Sequence, residues 1–328
     1  MSVLMLTKSD DNDCVDRVAA AVEARGESTI RFDTDRFPTE VRLVMERGTD
    51  VPRTFLLDGD ARHDLADVSA VWYRRIYAGA RLPDSMDPQV RKASLGETRV
   101  TVQGLVGLLD GFQLDRAVAV QRARNKPVQL EVARELGLAT PRTLLTNDAD
   151  AVRAFAKRCP AGIVTKMMTS FAVYEDEVEK VVFTTPLDDD AIADLEGLEL
   201  CPMTFQERIE KALELRVTIV GHRVFAASID SKASPGAEED WRREGVALLD
   251  RWRPYELLKE VAQRLVSLLD RFGLNYGAID VIVTPSGEHV FIEVNPIGEF
   301  FWLELHPGFP ISDAVAEVLV DPGARRVS

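Results

Sequence analysis

The stretch HVFIEVNP, residues 289–296, decides how this chain is read. Its β-branched and aromatic residues mark a strand, and Glu293 and Asn295, two residues apart, fall on one face of it. The preceding YGAIDVIVTPSGE, residues 276–288, reads as a partner strand followed by a turn. With Pro285, Ser286, Gly287 and Glu288 as the loop, Thr284 faces His289, and counting back along the ladder sets Asp280 opposite Glu293. Two carboxylates then share a face with an amide.

Like charges directly opposite one another destabilise a sheet unless a cation lies between them. Asp280, Glu293 and Asn295 offer three hard oxygen donors without sulfur or imidazole, a set that suits magnesium, with manganese as its substitute, holding nucleotide phosphates. The other reading of the same residues is an acidic hairpin rim facing water.

A chain of 328 residues with 46% hydrophobic content can bury a large core and divide into two or three units. No run approaches the ~20 apolar residues of a membrane span. The opening MSVLMLTKSDDND has too short an apolar run and acidic flanks for a signal peptide, so a cytoplasmic location is expected. Cys14, Cys159 and Cys201 show no metal or disulfide spacing, and His63, His222, His289 and His306 form no paired motif. The 40 basic and 54 acidic residues give a formal charge of −14, which speaks against a nucleic-acid partner.

Residues 2–6, 12–25 and 28–32 read as strand, helix and strand, a βαβ opening that implies a parallel sheet, with VSAVWYRRI (68–76) as a further buried strand. Helices are expected over 97–114 and 126–137, the second stopped by Gly137. A strand follows in LATPRTLLTND (138–148), bounded by Pro141 and a polar Thr146–Asp148 turn, then short strands at 162–168, 171–174 and 180–184, a hairpin around Gly221 and His222, and a helix over 254–272. SKASPGAEED (231–240) reads as a loop.

If the acidic hairpin holds a metal, the phosphates it bridges need cations. Lys166, inside the apolar GIVTKMM, is one candidate, its alternative being an edge-strand lysine; Lys126, opening a helix, is a second. Between Glu207 and Glu214 an extended connection could offer backbone groups to an adenine edge, with a carboxylate left for ribose hydroxyls. Arg216 could clamp a phosphate or a carboxylate, or form a surface ion pair.

Lys126, Lys166, the Glu207–Glu214 junction, Asp280, Glu293 and Asn295 stand in the order and spacing of the ATP-grasp superfamily, and the resemblance spans the whole chain. RFDTDRFP (31–38), VWYRR (71–75), NKPVQLEVARELGLATPRTLLTN (125–147), DWR (240–242) and IEVNPIGEFFWLELHPGFPI (292–311) resemble the microviridin-type maturases, the graspetide ligases, which are RimK-like. The resemblance implies an α/β ATP-grasp fold with a Rossmann-like pre-ATP-grasp domain over 1–124, a small central subdomain over 125–205 and a C-terminal antiparallel-sheet subdomain over 206–328. It assigns Asp280, Glu293 and Asn295 to magnesium, Lys126 and Lys166 to ATP phosphates, Glu207 and the backbone near Ile209 to adenine, and Glu214 to ribose.

The implied activity is ATP-dependent macrocyclisation of a ribosomal precursor peptide, with a leader and a Thr/Glu-rich core, by ω-ester bonds from Glu or Asp to Ser or Thr. Asp188, Asp189 and Asp190 are candidates for the leader, and Arg216, Trp241 and Arg242 for the acidic side chain of the core. The family also implies a homodimer. MMTSFAVY (167–174) departs from the glycine-rich phosphate cover of many ATP-grasp proteins, and Ala278 stands where some amino-acid ligases carry arginine, which makes Arg216 the candidate to stabilise an acyl phosphate. The competing readings are a RimK- or glutathione-synthetase-like carboxylate–amine ligase, a lactam-forming graspetide ligase, and a nucleotide-dependent binding module without turnover.

Overall fold

A computed structural model describes residues 1–167, 172–175, 178–181, 184–231 and 245–327. The βαβ opening forms as expected: Ser2–Thr7 pairs in parallel with Ser28–Asp33 and Val68–Tyr73, and the latter pairs in parallel with Phe112–Leu114. Val3, Leu4, Met5 and Leu6 are all buried, as a central parallel strand covered on both faces requires. The helix Cys14–Glu23 buries Cys14, Val15, Val18 and Val22, and it packs on the C-terminal helix Ile311–Val320.

Two features depart from expectation. Val41–Glu46, Arg53–Asp58 and Ala61–Asp64 form an antiparallel meander that was not foreseen, although Val41, Leu43 and Met45 alternate with exposed residues and Gly59 supplies a positive-φ turn. The helix expected over 97–114 instead runs Pro88–Leu108, because the Asp87 carboxylate accepts N–H bonds from Gln89 and Val90 and Pro88 suits a first turn. Its expected end is the strand Phe112–Leu114.

A second sheet has the order Thr185–Leu187, Ile163–Lys166, Met203–Glu207, Thr143–Thr146, all antiparallel. Ile163–Lys166 is therefore an interior strand, which removes the edge-lysine reading of Lys166. A third, five-stranded antiparallel sheet contains Arg253–Pro254, Arg223–Ile229, Leu213–Val220, Tyr276–Val283 and His289–Asn295 in that order. Its back is covered by Lys259–Phe272, which ends at Gly273 with φ +73°. That helix begins later than position 254 because Arg253 and Pro254 pair with Ser228 and Ala227 in the sheet and the Tyr255 N–H donates to Ala226 O.

The start of the strand Tyr276–Val283 is fixed to the N-terminal sheet by Asp115. Its carboxylate accepts the backbone N–H of Asn275 and of Tyr276, both at 2.9 Å, and the Asn275 side-chain amide at 3.3 Å. Burial pushes this carboxyl up to about 6, against the lowering effect of those donors. A folded-state pKa raised above the unfolded value contributes stability that is full below about pH 4 and is lost as pH rises through about 6. Asp115→Asn, which cannot ionise, should lack that decline, so wild type should lose about 2–3 kcal/mol relative to the variant between pH 4 and 7. Denaturant midpoints of the two proteins across that range measure the difference; parallel profiles would refute it.

Candidate active site

In the closing hairpin the loop is five residues, 284–288, so that Val283 rather than Thr284 faces His289. A bulge then places Asp280 opposite Glu293, with Ile292 as the extra residue between the pairs Val281–Phe291 and Asp280–Glu293. The two deviations cancel, and the expected carboxylate pairing is reached. The bulge also leaves Phe291 and Val294 together in the core while Glu293 and Asn295 line the opposite cavity.

Arg216 is the cross-strand neighbour of Asp280 on its other side, with Nη1 3.3 Å from Oδ1. Lys126 Nζ, from the helix Lys126–Glu135, lies 2.9 Å from Glu293 Oε2 and donates to Met167 O at 3.2 Å. A row of cation, anion, anion and cation thus crosses the sheet, and repulsion between the two carboxylates is answered from the flanks by basic side chains. Repulsion alone therefore does not demand a metal, which corrects the sequence argument. The donor set nevertheless fits one, because Asp280, Glu293 and Asn295 are hard oxygen donors lining one cavity. Arg216, 6% exposed, has an Nε lacking a hydrogen-bond acceptor among the described residues, a donor suited to an anion rather than to the metal. Among those residues no three His, Cys, Asp or Glu side chains gather, so the amide is needed to complete any ligand set.

Gln129, 1% exposed, holds this strand in place. Its side chain accepts the Val294 N–H at 2.9 Å and donates to Val294 O at 2.9 Å, so one amide satisfies both backbone groups between Glu293 and Asn295. Sequence reasoning missed it, because a glutamine on an amphipathic helix carries no mark of a partner 165 positions away.

The cavity measures about 1310 Å³. Lys126, Lys166, Glu207, Ile209, Glu214, Asp280, Glu293 and Asn295 all line it. Glu207 Oε2 accepts the Arg142 backbone N–H at 3.4 Å, and Glu214 pairs with Lys211 Nζ at 2.8 Å. Lys211, only 7% exposed, was not singled out in the sequence. Six cationic side chains (Arg116, Arg124, Lys126, Lys166, Arg208, Lys211) and four carboxylates (Glu207, Glu214, Asp280, Glu293) face the cavity, an excess of two positive charges in a chain of −14.

Asp188, Asp189 and Asp190 are not among the cavity residues; Asp188 caps the short helix Asp189–Ala193 by accepting the Ala191 N–H at 2.8 Å. Trp241 and Arg242 lie outside the described residues. Burial pushes the Cys14 thiol up to about 12, which makes it inert, and Cys159 is also buried.

A cationic cavity between a small antiparallel sheet and a larger one, floored by paired carboxylates, is the arrangement of an ATP-grasp ligase. Residues 2–121 match the family model described as the MvdD pre-ATP grasp domain. Macrocyclase MdnC from Microcystis aeruginosa MRC, solved bound with precursor peptide MdnA, is 48% identical over 98% of this chain and 100% of that one, with a TM-score of 0.90. The chain belongs to the family of RiPP-associated ATP-grasp macrocyclases. A RiPP-associated ATP-grasp ligase of Chryseobacterium gregarium, solved in complex with ADP and a leader and core peptide, is 38% identical over 100% of this chain and 98% of that one, with a TM-score of 0.95. A more distant relative, a probable alpha-L-glutamate ligase of Vibrio atlanticus (strain LGP32), is 23% identical over 99% of this chain and 98% of that one.

Proposed function

We propose that this ligase uses ATP to phosphorylate Glu or Asp side chains of a ribosomal precursor peptide and joins them as ω-esters to Ser or Thr hydroxyls, closing rings. The observation that carries this reading is the Asp280–Glu293–Asn295 face on the wall of a net-cationic cavity. At about 1310 Å³ the cavity exceeds the roughly 300–1,000 Å³ of an ordinary small-molecule site, which leaves room for a peptide beside a nucleotide.

Asp280, Glu293 and Asn295 would hold magnesium. Bound there, the ion would supply positive charge to the phosphate oxygens during transfer. Lys126 and Lys166 contribute point charges to the phosphates, Glu207 and the backbone at Ile209 receive adenine, and Glu214 takes the ribose hydroxyls. The peptide carboxylate attacks the γ-phosphorus, ADP leaves, and a peptide hydroxyl then attacks the acyl carbon with release of phosphate. A carboxylate oxygen of the peptide departs in that phosphate and the hydroxyl gives up its proton, so each ring costs the peptide the elements of one water. Arg216, poised beside Asp280 with an unanswered Nε, stabilises the acyl phosphate or grips the acidic side chain, and Trp241 and Arg242 join it on the core. The Asp188–Asp190 run is assigned to a basic leader residue. The reading also includes a homodimer, a cytoplasmic location, and division of the chain into units 1–124, 125–205 and 206–328. Among the described residues, no helix is long and apolar enough to cross a membrane.

The alpha-L-glutamate ligase relatives favour a second reading, carboxylate–amine ligation. Co-expression with a precursor peptide bearing a Thr/Glu-rich core, followed by intact mass, separates the two. Cyclisation lowers the peptide mass by one water per ring, whereas ligation raises it by an added residue. Mild alkali should restore the original mass through ester hydrolysis; a loss that survives alkali would indicate lactams and overturn the ester assignment.

A further inference from the structure

The strand His289–Asn295 is the outermost of its sheet, so the N–H and C=O groups on its free side have no further strand to bond. Two groups from elsewhere in the chain meet them. Ala139 O accepts the Phe291 N–H at 2.8 Å, and Gln129 takes both the N–H and the C=O of Val294 at 2.9 Å. Between these two clamps lies the bulge at Ile292. A bulged edge strand can slip by one residue, and such a slip would turn Glu293 and Asn295 away from the cavity and Val294 toward it.

A glutamine is an unexpected occupant of its place on the helix Lys126–Glu135. Gln129 is 1% exposed, and its neighbours Val132, Ala133 and Val294 belong to one apolar core. A methionine would fill the same space without the desolvation that an amide costs. The amide is instead fully used: its oxygen accepts from Val294, and its two protons go to Val294 O and Ala123 O. A buried polar group satisfied in this way rigidifies what it touches and selects one arrangement of it. One turn earlier on the same helix, Lys126 reaches Glu293. Residues three apart on the helix thus hold two adjacent residues of the strand, one by its side chain and one by its backbone.

We propose that Gln129 is a positioning residue for the metal face: it fixes the bulged strand with Glu293 and Asn295 turned together into the cavity, and so gives the site its selectivity for a small divalent ion. The inference rests on the ligase reading, in which those two residues and Asp280 hold magnesium. Magnesium demands near-ideal octahedral geometry at about 2.0–2.1 Å, whereas calcium accepts longer and more variable bonds. A strand that has lost its outer clamp therefore loses magnesium first and calcium little.

Electron paramagnetic resonance of Mn2+ bound to the full chain, with the protein in excess over a non-hydrolysable ATP analogue and the ion displaced by Mg2+ or by Ca2+, measures the ion affinities without turnover. Gln129→Met should weaken Mg2+ about tenfold and Ca2+ about twofold or less, so that the preference for magnesium falls about fivefold. In wild type, hydrogen exchange should find the Val294 amide protected before any ion is added, which tests the clamp even if Gln129→Met fails to fold. Equal weakening of both ions, or of neither, in a folded Gln129→Met protein would overturn the proposal, since a purely structural glutamine would lower the melting temperature without moving their ratio. A Val294 amide that exchanges freely until the ion binds would overturn it as well. A wild type that binds neither the nucleotide analogue nor Mn2+ would instead remove the ligase reading beneath it.

Discussion

Glu293→Gln should lower ring formation by roughly a thousandfold or more, about 4 kcal/mol of transition-state stabilisation. The substitution keeps the volume and the hydrogen-bonding reach of the side chain and removes only its charge. The strand itself should not shift, since Val294 is held on both backbone groups by Gln129 and the Asp280–Glu293 register is set by the bulge. What is lost is one of the two anionic donors in the proposed magnesium set, leaving Asp280 and Asn295, too few to compete for a strongly hydrated magnesium ion. Lys126 simultaneously loses its partner at 2.9 Å and keeps the Met167 carbonyl, so the lysine is not stranded and folding should be spared. The measurement is single-turnover ring formation followed by intact mass, with the melting temperature as a control. Rings formed at an undiminished rate by a folded Glu293→Gln protein would remove Glu293 from the chemistry and the magnesium assignment with it.

The legible part of the site was what a strand encodes in its own neighbourhood. Side-chain alternation sets Glu293 and Asn295 on one face, and a hairpin short enough to count places Asp280 across from them. The counting nonetheless succeeded through two opposite deviations: the loop is a residue longer than Pro285–Glu288, and the bulge at Ile292 absorbs the slip. A bulge leaves little trace in sequence because the extra residue is an ordinary isoleucine. Lys166 was readable as a cation inside an apolar strand and Lys126 as one at a helix N-terminus, where the dipole disfavours it, and both line the cavity. Partners joined only by the tertiary fold were not readable. The Arg216–Asp280 contact spans two strands of one sheet, and Gln129 meets Val294 only once a helix lies along the sheet edge. Lys211 escaped for a different reason, since a lysine in the polar run ERIEKALE is indistinguishable from a solvated one until burial is known. The Val41–Asp64 meander was legible from its alternation and its Asp58-Gly59 turn, and went unread.

Arg74→Ala should destabilise the fold by about 3–5 kcal/mol, a large share of the 5–15 kcal/mol that holds a typical protein folded. Arg74 is 4% exposed, and its guanidinium joins two segments far apart in sequence: Nε is 3.2 Å from Asp11 Oδ2, and Nη2 donates to Glu299 Oε2 at 2.7 Å. Arg75 reaches the same two carboxylates, and Asn12 Nδ2 donates to Glu299 at 2.9 Å. Burial raises the Asp11 carboxyl, but Arg74, the Thr7 hydroxyl, Arg75 and the Asn12 N–H outweigh it, and the pKa lies below its ordinary value. Deleting Arg74 leaves Asp11, with a side chain 1% exposed, charged and short of its principal partner, and the cost of that uncompensated charge dominates the effect. Arg74→Lys keeps the charge without the fork and should cost less, about 1–2 kcal/mol. A depressed carboxylate pKa contributes stability above the ordinary range that is lost as pH falls, so the gap between wild type and Arg74→Ala should narrow toward acid, where Asp11 takes up a proton in both. Denaturant midpoints at neutral and acidic pH read both the size and the sign. Activity should fall further than stability alone explains, because Glu299 lies four residues past Asn295 and anchors the loop through which that amide is presented to the cavity. If Arg74→Ala unfolds at the wild-type midpoint, the clasp contributes nothing measurable, and the join between the N-terminal sheet and the carboxylate strand must rest on Asp115 and the shared apolar core instead.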